Sequence, residues 1–190
     1  MGKIVISENV SLDGVMQDPT GEEGFRLGGW FTQIGDGDRA AWAAVFEDEA
    51  MRAEALLMGR RSDEWFAARW LSRTGEWAER LNSLPKYVVS STLDEAQWTN
   101  AAVLRGDVVD EVSRLRDSLG GDIVVNGSTR LVRTLLEHDL ADELRLMVFP
   151  FVLGDGERLF DVVGERKRLR LAGARTVGDS LVLLTYGVVR

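Results

Sequence analysis

The chain has 190 residues, and at about 150 residues per domain this length gives one domain with room for a sizeable hydrophobic core. Apolar residues make up 45% and charged residues 28%, a balance that excludes both disorder and a fibrous repeat. With 31 acidic against 23 basic side chains the formal charge is −8, which repels nucleic acid, and the lack of Cys with a single His excludes thiol nucleophiles, disulfides and multi-histidine metal sites.

The most apolar stretch, residues 146–153, is interrupted by Pro150 and is far short of the roughly 20 residues that span a bilayer. Residues 1–6 are too few for a secretory signal. A cytoplasmic protein with neither nucleic acid, membrane nor metal as partner is expected.

Residues 3–6 form a β-branched run that predicts the first strand, and Ser11-Leu12-Asp13-Gly14 then opens a Gly-heavy loop reaching Gly37. A loop of about twenty residues in a compact domain is more often a lid or binding loop than filler. From Asp38, placed to cap a helix, Trp42, Val45, Phe46, Ala50 and Ala53 recur on one stripe. Residues 55–58 predict a strand ending at Gly59, followed by helical segments at 62–70 and 76–81 and a strand at 87–90. A strand at 102–104, a helix at 108–119, a strand at 122–125 and a helix at 129–138 continue the alternation. Such alternation predicts a mostly parallel sheet covered on both faces. After Asp142 the pattern is purely β, at 144–149, 168–177 and 181–189, with the last two joined through Gly178-Asp179-Ser180 as an antiparallel hairpin.

Three successive strands run into loops of small, hydroxylated or cationic residues: Gly59-Arg60-Arg61-Ser62, Ser90-Ser91-Thr92 and Asn126-Gly127-Ser128-Thr129-Arg130. All three are expected at the carboxyl edge of one sheet, where open α/β sheets bind ligands. Two of them open a helix, whose free N–H groups and dipole favour an anion, and Arg60 or Arg61 adds a planar fork for a terminal phosphate. Neither Gly-x-Gly-x-x-Gly nor a P-loop occurs, so the nucleotide cradle implied is of another kind.

Taken with Leu56-Leu57-Met58-Gly59-Arg60-Arg61-Ser62, Lys86-Tyr87-Val88-Val89-Ser90-Ser91-Thr92-Leu93, Asn126-Gly127-Ser128, and Asp142-Glu143-Leu144 leading to Pro150, Leu153, Gly154 and Gly156, the Ser11-Leu12-Asp13-Gly14 turn resembles the dihydrofolate reductase superfamily. More closely the chain is similar to the branch holding the reductase domain of bifunctional riboflavin-biosynthesis enzymes. The resemblance runs over nearly all of 1–190 and implies a three-layer α/β/α fold and NADPH as cofactor. It assigns Gly59, Arg60, Arg61, Ser62, Ser90, Ser91 and Thr92 to the 2′-phosphate end, and Gly127, Ser128, Thr129 and Arg130 to the pyrophosphate.

Dihydrofolate reductases hold the pterin with a carboxylate on the first helix, whose ungapped equivalent here is Ala43. Glu49 falls within that helix's apolar stripe, so it either lines a polar cleft or is paired with an Arg. Asp13 is the other candidate catalytic carboxylate, since the turn that it shares with Ser11 lies beside the nicotinamide in the related reductases; otherwise it caps its own turn. Trp30, beside Phe31 in the Gly-rich loop, is placed to cover a flat heterocycle. His138 fits a helix-end cap, and Asp36-Gly37-Asp38 is a turn and helix cap rather than a calcium loop. The expected activity is NADPH-dependent reduction of a pterin or ribosylaminopyrimidine by a homodimer; the alternative is a nucleotide-binding module without turnover. With the first strand at Lys3, no deaminase segment is expected before the domain, so a role in riboflavin synthesis would be expected to need a separate deaminase.

Overall fold

In the computed structural model, residues 1–160 and 166–190 are described. Their elements are β1 (Lys3–Ser11), α1 (Asp36–Arg52), β2 (Ala53–Gly59), α2 (Arg60–Trp70), α3 (Glu76–Ser83), β3 (Lys86–Val89), β4 (Ala101–Leu104), α4 (Val108–Ser118), β5 (Asp122–Val125), α5 (Thr129–Glu137), β6 (Glu143–Phe149), β7 (Arg168–Val177) and β8 (Leu181–Val189). The strands form one sheet in the order β4-β3-β2-β5-β1-β6-β8-β7. Every pairing from β4 through β6 is parallel, and β8 runs antiparallel to both β6 and β7, as the pattern after Asp142 predicts.

Period-2 alternation divides the chain between two faces. Ile4, Ile6 and Val10 of β1, with Ile123 and Val125 of β5, pack under α4 and α5. Val124, Leu56, Met58 and Val88 face the other way, under α1, α2 and α3. Here α5 is sealed down, with Val132 and Leu135 wholly inaccessible to solvent. By contrast Trp42, Val45 and Phe46 of α1 are only half-buried.

Four expectations need correction. β1 does not stop at Ile6 but continues through Ser7-Glu8-Asn9 to Ser11, because parallel pairing with β6 holds the backbone extended despite three polar side chains. α1 begins at Asp36 rather than Asp38 and is entered from Gly35; the Asp38 carboxylate instead accepts from the backbone N–H groups of Asp179 and Ser180 and from the Ser180 hydroxyl. Ala53 is the first residue of β2, not the end of the α1 stripe. α2 starts at Arg60, two residues before Ser62, with Gly59 at its N-cap.

Candidate functional site

Because β1, β2, β3, β5 and β6 run parallel, their carboxyl ends emerge together, and the sequence order reverses around β1, between β5 and β6. The three small-residue loops meet there. A Cβ added to Gly59 would stand 2.5 Å from Ser128 Oγ, and one added to Gly127 would stand 2.9 Å from Ser62 Oγ, so the β2–α2 junction and the loop after β5 touch through their glycines. Arg60 Nη1 donates to Thr92 Oγ1 at 3.4 Å, which joins the loop after β3 to the other two. The Ser90 hydroxyl accepts from the N–H groups of Thr92 and Leu93 and so shapes its own turn, while Ser91 and Thr92 are exposed.

Gly127 and Ser128 are both left-handed, at φ 71° and 68°, a conformation that costs a serine about a kcal/mol or more unless surrounding structure enforces it. This pair turns the chain into α5, whose first turn has no side-chain cap. Thr129 is buried and Arg130 exposed at that end. Successive free N–H groups beside a left-handed pair form a concave anion cradle. Arg61 is exposed, and its one close partner among the described residues is Glu23, 3.5 Å away on the long loop. The same loop places Glu22 against Arg69 of α2. These residues fit a phosphorylated nucleotide such as NADPH: a left-handed Gly127, a Gly59 closely approached by Ser128, an uncapped helix start and two accessible guanidinium groups.

The catalytic candidates lie elsewhere. Asp13 accepts from the backbone N–H of Leu153 at 3.0 Å, the N–H of Gly154 at 2.8 Å and the Ser11 hydroxyl at 2.7 Å, with Arg158 Nη2 at 3.5 Å. The Leu153 N–H above all, then Ser11 and Gly154, hold its carboxyl far below the usual range. Asp13 thus ties the end of β1 to the end of β6, and a carboxylate so stabilised is a poor proton donor. Ser11 is buried and also accepts from Val15 N–H, so its hydroxyl is occupied by the turn.

Glu49 does not line the cleft. It reaches Arg145 of β6, whose guanidinium also grips Asp122 and Glu143 at 2.7–2.9 Å. Asp122 and Glu143 begin their strands, so this cluster lies toward the amino edge of the sheet, away from the three loops. Burial pushes the Glu49 carboxyl up, opposed first by Arg145 and then by the nearby Ser7 hydroxyl. Trp30 is likewise not a lid: 1% exposed, it stands edge-on against Phe149 and donates its indole N–H to Gln17 O. Two half-buried aromatics, Phe31 and Trp42, stand beside it with ring centroids 4.7 Å apart, and Trp42 Nε1 donates to Asn9 Oδ1 at 2.9 Å.

Asn9 and its neighbour Glu8 escape the sequence reading because the strand was expected to end before them. Three polar residues in succession between Ile6 and Val10 are the signal that finds them. A shallow concavity lined by Pro85, Lys86, Tyr87 and Asn100 opens at the opposite edge of β3 and β4, away from all of these groups. Among the described residues there is no cluster of His, Cys, Asp or Glu suited to a metal, and no helix long and apolar enough to cross a membrane.

The RibD C-terminal domain family matches residues 2–183. The uncharacterized protein YyaP of Bacillus subtilis is 29% identical over 97% of this chain and 94% of its own length. Among solved structures, a putative riboflavin biosynthesis protein from Shewanella sp. PV-4 superposes with a TM-score of 0.71 at 22% identity, covering 99% of both chains. Dihydrofolate reductase from Enterococcus faecalis, complexed with NADP(H), superposes at 0.58 and 14% identity over 99% of this chain and 97% of its own. At those identities the two structures show a common fold. The mixed sheet, its layers and the family match together establish that this chain belongs to the RibD C-terminal domain family and has the dihydrofolate reductase-like α/β fold.

Proposed function

We propose that the protein is an NADPH-dependent reductase of a planar nitrogen heterocycle. The observation that carries this reading is the convergence of Gly59, Ser62, Gly127, Ser128, Arg60 and Thr92 at the carboxyl edge beside β1. NADPH when bound supplies a hydride; the chain supplies binding, orientation and a dry pocket. Arg60 and Arg61 with the Ser90-Ser91-Thr92 turn receive the 2′-phosphate, and Gly127, Ser128, Thr129 and Arg130 receive the diphosphate. Phe31 and Trp42 wall the substrate side. Asn9, whose Oδ1 is taken by Trp42, keeps its Nδ2 to donate to a ring acceptor.

Ala43 stands where dihydrofolate reductases carry their acid, so a ribosylaminopyrimidine is preferred over dihydrofolate as substrate. Loss of reduced-nicotinamide absorbance with NADPH and each substrate in turn tests this. Rapid turnover of dihydrofolate alone overturns the preference. No turnover of either favours the second reading, a nucleotide-binding module, which has its own support in Asp13 and Glu49 being committed to structural partners.

A homodimer in the cytoplasm completes the proposal. β7 is an edge strand, and its hairpin exposes Leu171, Val182 and Val189. Light scattering at twice the 21.1 kDa of one chain is expected; 21.1 kDa refutes the dimer.

A further inference from the structure

Glu8 lies on the central strand, side chain toward α5, in a row with Ile6 and Val10, and is 5% exposed. The register of β1 on β5, which sets Ile6 against Val125, carried two residues further brings its carboxyl beside the backbone of Gly127, the first of the two left-handed residues that form the anion cradle. Its Oε1 is buried without a hydrogen-bond partner among the described residues. A lone carboxylate is an expensive occupant of such a place, since a buried charge is tolerated only when paired.

The groups around it do not supply a pair. Across the sheet on α1 the nearest acting charge is Glu49, of the same sign. On β6 its register partner is Leu146, which pairs in turn with Leu184 of β8. Just past β5, Asn126 spends its amide on the Ser7 carbonyl. On α5, Arg133 extends to Glu157, 3.8 Å away.

Resting on the nucleotide reading above, we infer that Glu8 is a positioning residue for the Gly127–Ser128 cradle, neutral while the diphosphate is held and able to couple nucleotide binding to proton uptake. A neutral carboxyl shapes the turn without opposing the anion; an ionised one beneath the same amide repels it. Burial, outweighing the Gly127 N–H and reinforced by Glu49, pushes the carboxyl up to about 8 in the free protein, which puts the transition within reach of experiment. Bound phosphates raise it further, and each unit of that rise is a tenfold loss of affinity once the group has ionised.

The test is calorimetric titration of the whole protein with NADP⁺ at pH 7.0 and pH 8.5, each in two buffers of different ionisation enthalpy. If binding raises the carboxyl by one unit, about half a proton is taken up per nucleotide at pH 8.5 and little at pH 7.0. Glu8→Gln abolishes that uptake and flattens the pH dependence of Kd. Independently of any variant, the carboxyl-carbon resonance of Glu8 in the parent should titrate about one unit higher with NADP⁺ than without. Binding with identical heats in the two buffers at pH 8.5, an unmoved carboxyl resonance, or uptake that persists in Glu8→Gln overturns the inference while leaving the nucleotide reading intact. Absence of NADP⁺ binding at pH 7.0 overturns both.

Discussion

The two faces of the sheet are built to different standards. Under α5, Leu131, Val132, Leu135 and Leu136 close against β1, β5 and β6 and leave no apolar side chain of that stripe in water. Under α1, the closed end is ionic, where Glu49 meets Arg145, and the end near Asn9 stays half-open and aromatic through Trp42 and Phe31. The first arrangement maximises burial, and the second forgoes part of it and leaves flat, amphipathic surface beside the sheet edge where ligands of α/β folds bind. A sealed helix is therefore a measure of stability in this protein and a half-sealed one a measure of use.

The contrast breaks most sharply at Arg145. Replacing it with Met leaves three carboxylates crowded together, one of them buried, and unfolding by denaturant should show a loss of about 3–5 kcal/mol. Leu135→Ala on the sealed face should cost about 2–5 kcal/mol by the same measurement, with nucleotide affinity unchanged in the fraction that remains folded. At the loops, Arg60→Ala should remove a charge-assisted contact of about 1.5–3 kcal/mol from NADPH, roughly ten- to a hundredfold in Kd, and hardly alter NADH. Equal titration curves for the two cofactors on the parent protein would remove the basis for that expectation.

Spread over several pH units, so that little of it shows at any one pH, is the pH dependence of stability. Glu8 has a folded pKa above its unfolded value, so the unfolded chain binds fewer protons between about 4.5 and about 8, and stability falls as pH rises through that window by up to about 1.4 kcal/mol per unit. Asp13 acts in the opposite sense: its folded pKa is depressed, so its contribution is present above the ordinary Asp range and is lost as pH falls below it. Thermal melts of Glu8→Gln against the parent should diverge upward from pH 5 to pH 8. The smallest expected effect is Trp42→Phe, which removes the donor to Asn9 at about 1 kcal/mol and should raise KM for the heterocycle more than it lowers the melting temperature.

What could be read from the chain follows the range of the interaction. The strand–helix alternation, the hairpin through Gly178 and the turns after β3 and β5 depend on local periodicity and turn chemistry and emerge where expected, while Arg60-Arg61-Ser62, read as loop, is already the first turn of α2. Trp30, Glu49 and Asp13 depend on partners far along the chain. The first is claimed by Phe149, the second by Arg145, 96 residues away, and the third by the amides of Leu153 and Gly154. No local pattern announces such partners. The polar run at Ser7-Glu8-Asn9 misleads for the opposite reason, since backbone pairing to β6 overrides what those side chains would choose alone.

Asp38 fastens the first turn of α1 to the tip of the β7–β8 hairpin, a contact between residues 142 positions apart, and a side chain on Gly178 would collide with it. During synthesis that fastening cannot form until residue 180 has cleared the ribosome, so the helix bordering the open cleft is made early and anchored among the last. Nascent chains arrested before the hairpin should therefore already possess the α4–α5 face while the α1 side remains loose, and limited proteolysis of such chains should cut first between residues 12 and 35. The cleft beside α1 is in this sense a late product of biogenesis, assembled on a scaffold that matures before it.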